Sequence, residues 1–541
     1  MSFICTTKPI PAKMSITSSN SSLILISLLL SFFVYLEASS STHGNFLQCL
    51  YYHSNVSIPV YTPKDSNYST ILQSTLGSLR LNSSATPKPF LIVTPLTESH
   101  VQTAVICSKN HGIQIKVRSG GHDFEGLSYI SDVPFIIVDL FNLREVNVDV
   151  KDKIAWVQSG ATTGELYYKI AKKSNTLAFP AGMCTTVGIG GHFSGGGYGS
   201  MLRKYGTAGD NVIDARIVDV HGRILNRKSM GDGLFWAIRG GGGGSFGIVL
   251  SWKIRLVSVP PTVTVFSVGK TLAERATSLV RKWQKVAHKL PHDLFIMLGV
   301  GVVDSTPTGN KTILTTFTSL FLGDSKKLQT VMKERFPELG LEAKDCIEMS
   351  WLRSVLFLDG LPTNGSIDIL VNRPQPQSYF KVKSDYVKQP ISQIGLGKIW
   401  ERTLKDEQNG MMFMPYGGRM SQIAESETPF SHRNGTLFKI IYLVYWDAKQ
   451  DATSQKYINQ IRRMYEFMTP YVSKSPREAY VNYRDLDLGQ TSKNGTASYS
   501  QAKVWGTKYF KDNFDRLVYV KTKVDPDNFF RHEQSIPSIA Y

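Results

Sequence analysis

The stretch FPAGMCTTVGIGGHFSGGGYG, Phe179 to Gly199, sets a cysteine ahead of a run in which nearly every second residue is glycine. Two further clusters, RSGGHDFEG (Arg118 to Gly126) and IRGGGGGSFGIV (Ile238 to Val249), lie within the same span of about 130 residues. Bare backbone lets peptide N–H groups approach an anion closely and form concave donor nests, which is what a pyrophosphate-bearing cofactor requires. Each cluster abuts apolar, strand-like sequence, so it is set against a folded scaffold and not in a free surface loop. None carries the G-x-G-x-x-G spacing between strand and helix, with an acid about 20 residues on, that marks a Rossmann unit. Arg118, Ser119, Gly120 and Gly121 from RSGGHDFEG, Gly188, Gly190, Gly191, His192 and Gly195 from the quoted stretch, and Val249 at the end of IRGGGGGSFGIV form the candidate cofactor cradle.

Around the glycines, the short apolar runs FLIV, FIIVDL, IAWVQSG and FGIVLSWKIRLV alternate with helix-like segments from Pro89 to about Pro260, as an α+β domain would. SVPPTVTVFSV then marks a junction. Beyond it LFIMLGVGVV, TILTTFTSLFL, MMFMP and FKIIYLVYW read as strands. Leu272, Ala276, Leu279, Val280, Trp283 and Ala287 share one helical face, and Tyr457, Ile461, Met464, Tyr465 and Met468 share another. This second region is expected to be an antiparallel sheet backed by helices, and the final 60 or so residues return to short motifs. A chain of 541 residues, 42% hydrophobic, is too long for one compact unit, so two domains are expected. The net charge of +18 comes without a run of five or six Lys/Arg or a basic stripe interleaved with aromatics. That pattern is a solvated basic surface and argues against a nucleic-acid partner.

At the N-terminus, Lys8 and Lys13 precede the apolar run LILISLLLSFFVY (Leu23 to Tyr35), which is followed by small residues. This reads as a signal peptide over residues 1–40, too short to span a bilayer easily, and no later apolar stretch reaches 18 residues. N-glycosylation sequons at Asn55, Asn67, Asn82, Asn310, Asn364, Asn434 and Asn494 fit a secretory chain, with the extracellular space, cell wall or vacuole as destination. Removing the signal peptide discards Cys5. Of the four cysteines left, Cys49 and Cys107 could form one disulfide that ties down the terminal arm. Cys346 reads as a buried free thiol, and no His/Cys cluster suggests a metal. Cys184 stays among the glycines.

The motifs VRSGGHDFEGLSY, GMCTTVGIGGHFSGGGYG, LFWAIRGGGGGSFGIV, VNYRDLDLG and DPDNFFRHEQSI, in that order from about Cys49 to Ile536, resemble those of the plant berberine bridge enzyme-like flavoproteins, which include cannabinoid synthases and monolignol oxidoreductases. The resemblance implies a vanillyl-alcohol-oxidase (PCMH-type) FAD domain built from residues 41–262 and 478–541, and a substrate domain over 263–477. It implies FAD held twice, by His122 at the 8α-methyl and by Cys184 at C6 of the flavin. Neutral imidazole and thiolate are both nucleophiles able to add to an electron-poor ring. It carries catalytic roles onto Tyr483, Tyr198 and Lys439, the ammonium lying against the Tyr198 ring and stabilising its phenolate as a base.

The departures from the family pattern narrow the substrate. Phe124 stands where oxidative members often have tyrosine. Ile441 stands where monolignol oxidoreductases carry glutamine and berberine bridge enzyme a glutamate base, and Lys439 where cannabinoid synthases carry theirs. With Phe413 and Met414 nearby, an apolar pocket is expected, suited to a hydrophobic aromatic or prenylated phenolic metabolite. Val187 matches the position where valine accompanies reaction with dioxygen, which implies an oxidase releasing hydrogen peroxide. Two alternatives stand beside this one: a flavin-containing cyclase with no net redox step, and a carbohydrate oxidase. A monomer without a membrane span is expected.

Overall fold

The computed structural model describes residues 44–54, 56–83, 86–305, 309–373, 377–407, 409–447, 454–491 and 498–539. The N-terminal apolar run with its cleavage region, Cys5, and the sequons at Asn55 and Asn494 lie outside these residues. The chain divides into two compact units, residues 1–55 and 56–541. In the first, residues 44–52 are helical. Cys49 and Cys107 are disulfide-bonded, whereas Cys184 and Cys346 are free.

The larger unit is α+β. Leu91–Val93, Phe135–Asp139 and Gln114–Arg118 pair in parallel, with Val60–Tyr61 added antiparallel at one edge. The apolar runs FLIV and FIIVDL are unbroken because these strands are buried on both faces. The helix Glu98–Asn110, capped by the Thr97 hydroxyl accepting from His100 N, links the first strand to Gln114–Arg118. A five-stranded antiparallel sheet follows, ordered Val146–Asp149, Ile154–Gln158, Ile248–Arg255, Val212–Val218, Ile224–Leu225.

The third main layer is a seven-stranded antiparallel sheet ordered Ile347–Met349, Val263–Thr271, Asn310–Phe321, Leu294–Ser305, Asn409–Pro415, Phe438–Trp446, Tyr379–Val387. Its two faces follow the strand period of two. Phe413 and Phe438 stack with centroids 5.2 Å apart and meet Trp283 of the helix Ala276–Val286, whose indole N–H donates to Ile296 O at 2.9 Å. On the other face the register sets Met412 opposite Ile441 and Met414 opposite Lys439.

Some of this architecture was not expected. Val263–Thr271, inside the presumed junction, and Tyr379–Val387 are strands. The second hides because Lys381, Lys383 and Asp385 alternate along it yet are buried. Their charges are met by Glu125, Asp485, Asp487 and Arg477. The C-terminal segment also holds two helices, Tyr499–Phe510 and Asn513–Val524, where only short motifs were expected. No described helix is long and apolar enough to cross a membrane.

Candidate active site

A cavity of about 470 Å³, within the range of small-molecule sites, has the glycine-bearing loops on one wall and the seven-stranded sheet on another. The strand Gln114–Arg118 delivers the loop that carries Ser119, Gly120, Gly121, His122 and Phe124 into it. Arg118 itself does not line the cavity. Its guanidinium is fully buried, bonded to Asp139 at 2.7 and 3.1 Å and to the carbonyls of Ile71 and Leu72, so it anchors the loop and does not reach a ligand.

The first two glycine clusters press on each other. A Cβ on Gly188 would sit 2.2 Å from Gly120 N, and one on Gly120 would sit 2.4 Å from Gly188 N. Gly121 has φ +67° and faces Thr75, and Gly190 N donates to Ser119 Oγ at 3.2 Å. Gly195 lies outside the cavity lining, closed against the Asn482 side chain. Gly191 differs from all of these: it lines the cavity, and a Cβ there would meet no protein atom within 4 Å.

His122 and Cys184 come together around a residue the sequence reading passed over. Thr186 Oγ1 is 2.9 Å from His122 Nε2 and 3.6 Å from Cys184 Sγ. Burial pulls the His122 imidazole down from 6.5 to about 4, so it is neutral at neutral pH. The exposed surface of Cys184 faces the cavity it lines. Burial first, and then the Asp359 carboxyl, push its thiol above the usual range. His192 accepts from Gly182 N at Nε2, 2.9 Å, and burial, with Lys439 and His122 adding, lowers it to about 4. Val187 and Val249 also line the cavity.

The sheet contributes Met297, Met412, Met414 and Ile441, joined by Phe124 and Leu358. Phe413 is not among them. Strand alternation turns it to the helix-covered face, so its expected place in the pocket belongs to Met412, one residue away. Tyr198 and Tyr483 both line the cavity and share a hydrogen bond between their hydroxyls, and Tyr483 stacks on Phe124 at 5.4 Å. Behind them the fully buried Lys439 ammonium lies 3.3 Å from the Tyr198 ring centroid, 4.2 Å from that of Tyr480 and 4.3 Å from that of Tyr483, and has no hydrogen-bond partner among the described residues. Burial drives Lys439 well down and Tyr198 well up. Tyr480 and Asn482 were within the quoted C-terminal motif or next to it and were missed. Asn482 Nδ2 donates to the Tyr480 hydroxyl and to His192 O, both at 2.9 Å, tying the tyrosines to the glycine stretch.

The residues present fit an FAD. Gly191 leaves a Cβ-sized gap on the cavity lining, and the buried Ser128 Oγ and Arg531 Nε, both on the lining, have no hydrogen-bond partner among the described residues. A neutral imidazole and a thiol stand at the same wall. No group of His, Cys, Asp and Glu among the described residues could hold a metal ion.

Comparison with known proteins agrees. The model of an FAD binding domain matches residues 89–227, and that of the berberine and berberine-like segment matches residues 479–537. The chain is 56% identical to tetrahydroberberine oxidase of Berberis wilsoniae over 93% of this chain and 95% of the relative. It superposes on the structure of BBE-like #28 from Arabidopsis thaliana with a TM-score of 0.87 and 48% identity, covering 92% of this chain and all of the other. The grass pollen protein Phl p 4 superposes with a TM-score of 0.86 and 46% identity over 92% of this chain and 100% of the other. Its wild type is described as a glucose dehydrogenase, and a variant with isoleucine replaced by valine and asparagine by histidine as a glucose oxidase.

Proposed function

The chain belongs to the berberine bridge enzyme-like family of FAD-dependent oxidoreductases, and from that premise we propose that it is a secreted oxidase, with bicovalently bound FAD, of a hydrophobic aromatic plant metabolite. The observation that carries the substrate class is the sheet wall. Phe124, Met297, Met412, Met414 and Ile441 offer no hydrogen-bonding side chain beyond thioether sulfur, so sugar hydroxyls buried there would lose their water without replacement. An apolar ligand gains roughly 25 cal/mol per Å² removed from water.

Bound FAD would supply a two-electron acceptor for hydride from the substrate, one that dioxygen can reoxidise. His122 and Cys184 would hold it covalently, Gly191 would give it room, and Ser128 and Arg531 would meet its polar parts. Tyr198 takes the substrate proton. It does so as the phenolate: burial holds the phenol well above its ordinary range, and the Lys439 ammonium over its face, itself disfavoured by burial, offsets part of the cost of ionising it. Tyr483 donates or accepts at the Tyr198 hydroxyl and, stacked on Phe124, orients the ring to be oxidised.

Reaction with dioxygen rests on Val187 in the cavity lining. In the Phl p 4 variants the two replaced positions lie five apart, with valine and histidine introduced. Val187 and His192 here have that spacing and those residues. Secretion is supported by the apolar N-terminal run, the disulfide-bonded Cys49 and Cys107, and exposed sequons at Asn67, Asn310, Asn364 and Asn434. Residues 41–262 and 478–541 would form the FAD domain and 263–477 the substrate domain. The test is anaerobic bleaching of the flavin by a panel of prenylated phenols, alkaloids and oligosaccharides, followed by admission of air. Bleaching by an apolar aromatic and prompt return of colour is expected. Bleaching by sugars alone would overturn the substrate class.

A further inference from the structure

The thiol of Cys184 has an unusual setting for a nucleophile. Reactive cysteines sit beside cations that favour the thiolate, but the charged group at Cys184 is a carboxyl. Asp359 follows the helix Trp351–Leu358, and its Oδ2 accepts from Thr185 N at 2.9 Å and from Thr185 Oγ1 at 2.6 Å. Those two bonds fix the carboxyl against the residue next to Cys184 in the chain, and both groups line the cavity. None of the groups acting on Asp359 is a cation. The other titratable groups around the pair are His122, reached through Thr186, and the tyrosines Tyr167, Tyr445 and Tyr483. A thiol with no cation to ionise it needs a proton acceptor nearby, and the Asp359 carboxyl, held at the adjoining residue Thr185, is one.

We propose that Asp359 is the general base that activates Cys184 for its own attachment to the flavin, an inference that rests on the bicovalent reading above. The S–H proton passes to the Asp359 carboxylate, and a bond forms between Cys184 Sγ and ring C6. The C6–H proton leaves to solvent. The two electrons that remain pass to dioxygen, which departs with two protons as hydrogen peroxide. Thiol, ring C–H and dioxygen thus become thioether and hydrogen peroxide. The other candidate acceptor is His122, reached from the sulfur through the Thr186 hydroxyl.

The experiment compares purified wild type, Asp359→Asn and Thr186→Val holoproteins by alkylating them unfolded with iodoacetamide and weighing the peptide that contains Cys184. In Asp359→Asn the amide oxygen still accepts from Thr185, so the loop is kept while the base is lost. Cys184 is expected to be alkylated in that variant with FAD still attached through His122. It should couple on standing in air at alkaline pH, where hydroxide replaces the base. Attachment at neutral pH should be slower by about 100-fold or more, the usual contribution of a positioned base. Thr186→Val should carry Cys184 blocked by flavin, as in wild type, and Asp359→Glu should restore blocking should Asp359→Asn fail to accumulate. Full blocking in Asp359→Asn at the wild-type rate, or loss of blocking in Thr186→Val in its place, overturns the proposal. Alkylation of Cys184 in the wild type would sink the bicovalent reading itself and is seen in a separate arm.

Discussion

The glycine-bearing wall of the cavity and the sheet wall facing it are specified in different ways. On the first, backbone meets backbone: Gly120 and Gly188 touch so closely that neither admits a Cβ, while Gly191 on the cavity lining stands open. On the second, side chains alternate across a strand, so that Met412 and Met414 reach the cavity and Phe413 between them packs under a helix. The first wall is thus a rigid cradle whose shape does not depend on side-chain choice. The second can change its chemistry at one position without disturbing the fold. This division suits a family that keeps one cofactor and varies its substrates.

Paired substitutions on the glycine wall should break the comparison most severely. Gly188→Ala drives a methyl into Gly120 N and is expected to prevent accumulation of folded protein, as overpacking against immovable backbone exceeds the usual 1–3 kcal/mol or so. Gly191→Ala should leave the melting temperature of the cofactor-free chain unchanged but abolish retention of FAD, measured as the ratio of flavin absorbance to protein. Equal loss of folding in both would erase the distinction between closed and open glycines.

Between the two walls, Tyr198→Phe is expected to lower kcat/KM by about 10²–10⁴, the scale of a lost general base, with flavin content intact. In Lys439→Met, which removes the buried ammonium, the rise of kcat/KM with pH should move to higher pH, because the phenolate loses the charge over its face. An unshifted profile removes that role from Lys439. Val187→Ile should slow reoxidation by air about tenfold, the effect of one added methylene in a tight space, while anaerobic reduction by substrate keeps its rate.

The smallest effect is on stability in acid. His192 must be neutral to accept from Gly182 N, and its proton affinity is lowered from 6.5 to about 4 in the fold. The unfolded chain therefore binds that proton first. Its contribution is complete above pH 6.5 and is lost as pH falls toward 4, by up to about 3 kcal/mol at roughly 1.4 kcal/mol per pKa unit. Urea midpoints measured between pH 7 and 4 should fall for wild type and fall less for His192→Gln.

How much of this was legible depended on whether local sequence carried the cause. The glycine clusters, the central strands and the face of the helix Ala276–Val286 were readable because close approach and period leave direct marks. Tyr379–Val387 was not, because Lys381, Lys383 and Asp385 look solvated until partners 92 to 256 residues away neutralise them. The motifs brought out His122, Cys184, Tyr198 and Tyr483. They could not show that Thr186 bridges the first two, or that Asp359, which comes from a different part of the chain, is bonded to Thr185 beside Cys184. Arg118 and Phe413 were misplaced for the same reason. A basic residue beside a glycine cluster and an aromatic beside a pocket strand suggest contact with a ligand, whereas Asp139 and strand alternation decide otherwise.

The central claim is that the glycine wall holds its flavin through both His122 and Cys184. The mass of the acid-precipitated, washed chain tests it most directly. The wild type should stay yellow and heavier by one FAD, His122→Ala and Cys184→Ala should each keep the added mass, and the double variant should lose it. Wild-type protein that pellets colourless, with all flavin in the supernatant, would contradict the claim.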